Sequence, residues 1–96
     1  MNLQTLKDSL TNDSPPAGLS VPLQALWYQA KGDWTAAHDL LQNQNDPAGC
    51  WVHALLHREE GDMPNANYWY RRAGRSMFEG SLEEEWDAIV EALLEE

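Results

Sequence analysis

The dipeptide Gly-Asp occurs at Gly32-Asp33 and again at Gly61-Asp62, 29 positions apart, in matching surroundings. Upstream of each lies an apolar stretch with a ring at the same offset, Tyr28 or His57. Downstream an alanine sits five residues past the glycine, Ala37 or Ala66, and a large residue follows four positions later, Leu41 or Tyr70. Each residue type has a physical reason to be there. Glycine enters the left-handed backbone region that ends a helix without a Cβ penalty. Aspartate accepts hydrogen bonds from the free N–H groups that open the next helix. A small alanine lets two helices approach closely. The pattern predicts an all-α fold: two stacked helix–turn–helix hairpins, over about residues 20–43 and 46–77, in a single domain spanning 1–96.

The rest of the chain supplies an extra helix at each end. Leu3, Leu6 and Leu10 mark one apolar stripe near the N-terminus, and Pro15-Pro16 forbids that helix to continue. Ser20 and Asp46 are expected N-caps, each followed closely by a proline, Pro22 or Pro47. The helix opened by Asp62 is expected to reach about Met77, with Gly80 as the break. Ser81 through Glu84 is a capping box for a last helix over about 82–95. No segment alternates with period two over a useful length, so no strand is expected.

The run Tyr28, Gly32-Asp33-Trp34, Ala37, Leu41 resembles the core of a tetratricopeptide repeat, and His57, Gly61-Asp62, Ala66, Tyr70, Ala73 fits the same template. Residues Asn65 to Ala73 resemble a Sel1-type repeat more closely still, and Trp51 to Gly74 resembles small bacterial proteins of unassigned function. The resemblance covers Ser20 to Arg75 and implies a non-catalytic protein-interaction module, bound to a protein partner or to itself. The spacing is shorter than the tetratricopeptide unit of roughly 34 residues, and two units are fewer than the three or so that such arrays need. The terminal helices, or a second chain, are therefore expected to cap the pair.

The formal charge of −10, from 16 acidic and 6 basic residues, argues against nucleic acid and anionic membrane, which require a positive field. One cysteine, Cys50, excludes an intramolecular disulfide. Met1 to Leu10 lacks the apolar core of a secretory signal, and no apolar run nears the roughly 20 residues that span a bilayer, so a cytoplasmic location is expected.

Three groups of residues stand out. Cys50, His53 and His57 fall within about 60° of one another on a helix, and thiolate with imidazole suits zinc or another transition metal. His38 or an acidic residue is the candidate fourth ligand. The leading expectation is that both histidines pack between helices, since His57 occupies the place of Tyr28, and that no cofactor is bound; the metal site is the alternative. The second group is Tyr68, Arg71, Arg72 and Arg75, on the face opposite the apolar stripe of their helix. They are candidates for partner contact, or for neutralising the last helix through Glu83, Glu84, Asp87 or Glu91. The third is Trp34, either a staple at a helix start or an exposed anchor. No phosphate-cradling loop, nucleophile elbow or HExxH pattern is present, so no enzyme is expected.

Overall fold

The local hydrogen bonds that open and close the helices follow the sequence closely. The computed structural model describes residues 1–95; Glu96 lies outside the described residues. Among the described residues there are six α-helices and no strand: α1 (Leu3–Asp8, continued by a 3-10 turn at Ser9–Thr11), α2 (Val21–Ala30), α3 (Trp34–Leu41), α4 (Pro47–Glu59), α5 (Met63–Arg72) and α6 (Leu82–Leu94). Asp33 accepts from Ala36 N at 3.0 Å and Asp62 from Asn65 N at 3.2 Å. Ser81 and Glu84 cap each other reciprocally at 3.0 Å. Asp46 stands at the N-cap of α4, but its side chain makes no capping bond, contrary to expectation.

The two Gly-Asp turns share one geometry. Gly32 and Gly61 have φ of 87° and 84°. Each glycine N–H bonds back at 3.0 Å, to Gln29 or Arg58, and each aspartate N–H at 2.9 Å, to Tyr28 or His57. These paired bonds are those of a Schellman motif, which satisfies the last carbonyls of a helix. A third copy was not expected. Gly74 has φ 75°, its N–H bonds to Arg71 O, and Arg75 N–H bonds to Tyr70 O. It ends α5 at Arg72 rather than near Met77, so Met77 leaves the helical stripe.

α4 is the centre of the molecule. It packs on α2, α3, α5 and α6 and is buried continuously from Gly49 to His57. A helix enclosed on every side shows no single apolar face, which is why Trp51 and Cys50 are both buried despite lying on different faces. Ala37 and Ala66 are fully buried where α2 meets α3 and α4 meets α5. The remaining core comes largely from Leu26, Trp27, Leu41, Leu55, Leu56, Ile89 and Val90. Buried indole N–H groups find acceptors, Trp86 on Leu26 O at 3.0 Å and Trp27 on Ser9 Oγ at 3.1 Å. Among the described residues no helix is long and apolar enough to cross a membrane.

α6 is fastened by a carboxylate. Glu85, 0% exposed, accepts from Trp51 Nε1 at 3.1 Å, Tyr70 Oη at 2.5 Å and Arg58 Nη1 at 3.0 Å. Arg58 also donates to Gly80 O, tying the loop before α6 into the same network. Burial and the Glu85 hydrogen bond push the Tyr70 phenol far above its usual range, so it remains a donor.

Candidate functional site

His53 and His57 lie one turn apart on α4, so their rings share a face. α3 crosses that face and brings His38 to them. The contact between α3 and α4, which belong to different helix–turn–helix pairs, creates the cluster; Ala37, the residue before His38, is fully buried beside it. The three imidazoles offer one ligand atom each, all within 4.8 Å of one another. His53 Nε2 and His38 Nε2 are 3.1 Å apart. Two nitrogens bound to one tetrahedral metal at about 2.0–2.1 Å lie about 3.3 Å apart, so this pair is already near a shared-ligand geometry.

The supporting shell fits the same chemistry. His57 Nδ1 lies 2.7 Å from Glu60 Oε1. An imidazole that donates Nδ1–H to this carboxylate can offer Nε2 to a metal, as in the carboxylate–histidine–metal arrangement. Asn65 Nδ2 stands 3.5 Å from that Nε2. Tryptophans wall the cluster: Trp69 stacks on His53 with centroids 3.8 Å apart and 6° between planes, and Trp34 stacks on His38 at 4.8 Å and 10°. His53 and His57 are 4% and 6% exposed, whereas His38 is half-buried and gives the cluster its access to solvent.

Electrostatics favour a neutral His53. Burial lowers the His53 pKa to about 4, with further lowering from His38, His57 and Arg72. His53 is therefore unprotonated near neutrality, the state a metal requires. Its Nδ1 is buried with no hydrogen-bond partner. Leaving such a group unpaired costs on the order of 1–3 kcal/mol. The ring leaves Nδ1 unpaired while its Nε2 faces His38. A second grouping, His57 with Glu60 and Asp62, has two exposed carboxylates. Asp62 is occupied as a helix cap and Glu60 as the partner of His57, so the three-histidine set is the better donor set.

Cys50 does not belong to the cluster. Its thiol turns to Asn45 O at 3.7 Å, and burial raises its pKa. The helical wheel placed it with the histidines, but the α3–α4 loop captures it. Trp34 is half-buried and donates Nε1–H to Leu56 O at 2.9 Å, so it packs α3 onto α4. Tyr68 is 48% exposed, and Arg71, Arg72 and Arg75 are exposed. None of the three arginines neutralises α6. Ion pairs among the described residues are Lys7–Asp87 and Arg58–Glu85, beside the His57–Glu60 hydrogen bond. The reason is placement: α6 packs on α1, α2 and α4, leaving its acidic face away from the outer face of α5. Glu60 and Trp69 were missed as site residues. Glu60 carried a signal, a carboxylate three residues after His57; Trp69 carried none beyond its apolar spacing. No family model, curated protein or solved structure matches this chain.

Proposed function

We propose that this protein binds a first-row transition metal through His38, His53 and His57. The observation that carries the reading is the convergence of three imidazoles, two of them buried, with Nε2 of His53 and His38 only 3.1 Å apart. Three imidazole ligands without a thiolate suit zinc, cobalt, nickel or copper rather than magnesium or calcium. Three protein ligands leave one coordination position for water or an exogenous ligand. The chain's own residues set the terms: Glu60 orients His57, Trp69 orients His53, and Trp34 orients His38. Titration of stripped protein with Co(II) and Zn(II), followed by visible absorption and calorimetry, tests the reading. One equivalent should bind, with tetrahedral cobalt bands. His53→Ala and His57→Ala should each weaken binding by about 10²-fold or more, and Cys50→Ala should leave it unchanged. Absence of stoichiometric binding, or equal binding by the histidine variants, would sink it.

The second reading is a tetratricopeptide-like, non-catalytic interaction module that associates with a protein partner or with itself. It is supported by the repeated turn, whose hydrogen bonds match at Gly32 and Gly61. Light scattering on the eluting protein tests the self-associating form; a strictly monomeric species across concentration and salt argues against it.

A further inference from the structure

We propose that Arg72 and Arg75, with Arg71 beside them, bind a small oxyanion, a phosphate or carboxylate group. The chain has six basic side chains, and three of them are engaged. Lys7 pairs with Asp87, Lys31 caps Leu10 O and Asn12 O, and Arg58 is taken by Glu85 and Gly80 O. The other three fall within five residues, all exposed, and none is in the ion pairs found among the described residues. In a chain with 16 acids, three neighbouring cations outside those ion pairs leave guanidinium donors open to an acceptor from outside the chain.

Two of these guanidiniums, Arg72 and Arg75, are also held in place, while Arg71 donates to Asn67 O on its own helix at 3.5 Å. Arg72 lies 4.8 Å over the Trp69 ring and 5.7 Å over Tyr68. Its bonds run to neutral acceptors and are long, Tyr68 Oη at 3.3 Å and Asn45 Oδ1 at 3.4 Å. Arg75 lies 3.5 Å over Trp51, whose own ring is anchored by the buried Glu85. Trp69 and Trp51 are therefore fixed platforms on which the cations rest. A guanidinium has five donors in a planar fork matched to oxyanions, and stacking removes much of the side-chain freedom that binding would otherwise have to freeze. Beside Arg75, the segment 74–79 lines an open groove with Ser76 and Phe78; its carboxylate, Glu79, makes no ion pair with Arg75.

The tryptophans beneath the cations are natural reporters. Metal-free protein is titrated with inorganic phosphate and with succinate at constant ionic strength, chloride being the control, by tryptophan fluorescence and by calorimetry. A saturable response to one or both anions, absent with chloride, is expected. In folded Arg72→Ala and Arg75→Ala variants the affinity should fall about tenfold or more, and lysine at the same positions should restore it only partly. No saturable response to either anion, the same response to chloride, or unchanged affinity in both alanine variants overturns the proposal. Because the protein carries no metal in this titration, the outcome is separate from that of the histidine centre.

Discussion

Replacing Glu85 by alanine tests whether a carboxylate holds α6 in place. The side chain is 0% exposed and accepts three donors, Trp51 Nε1, Tyr70 Oη and Arg58 Nη1. Its loss strands the Arg58 guanidinium, whose side chain is only 18% exposed. Breaking a buried pair by removing one partner costs about 3–5 kcal/mol. Two further buried donors lose their acceptor, at about 1–3 kcal/mol each when unrelieved. These terms overlap, since the vacated space can admit water, so the expected loss is about 4–6 kcal/mol. Against a total stability of roughly 5–15 kcal/mol for a small domain, that approaches unfolding. Glu85→Gln keeps one acceptor oxygen but turns an amide N–H₂ toward donors, and should cost about 2–4 kcal/mol. Urea unfolding followed by far-ultraviolet circular dichroism gives the numbers without relying on Trp51, whose emission the change itself alters. Arg58→Met combined with Glu85→Met should recover part of the loss, because no charge is then left buried alone. A loss below about 1 kcal/mol in Glu85→Ala would refute the reasoning and mean that apolar contacts alone dock α6.

Two further outcomes follow from the same structure. For metal-free protein, His53 binds its proton at about pH 4 when folded and near 6.5 when unfolded. The unfolded chain therefore takes up more protons in between, so the contribution is intact above about pH 6.5 and is lost as pH falls toward 4. It amounts to about 3 kcal/mol; the wild-type stability loss between pH 7 and 4 should exceed that of His53→Gln by this order, and equal losses would refute it. Gly74→Ala meets no atom within 4 Å but places a Cβ at φ 75°; destabilisation of about 1–2 kcal/mol is expected, and a neutral result in thermal unfolding would mean that the third turn does not matter.

The parts of this protein legible in its sequence are those made by neighbours along the chain. Ser81 and Glu84, or Gly61 and Asp62, complete their bonds within five residues, so residue type and spacing suffice. Gly74 escaped because no aspartate follows it, although its turn bonds are the same. His53 and His57 could be placed on one face by helical periodicity, and His38 named as a candidate beside them. Whether the three meet depends on how α3 crosses α4, which no local pattern encodes. The same tertiary choice turned Cys50 away to Asn45 and kept Arg71, Arg72 and Arg75 apart from α6. It also selected Glu85, one acid in a run of three, for the core. The sequence by itself determined where helices begin, reverse and end, because those bonds span a single turn. Only the tertiary structure decided which polar groups share a site, because an enclosed helix such as α4 offers a candidate on every side and packing alone picks among them.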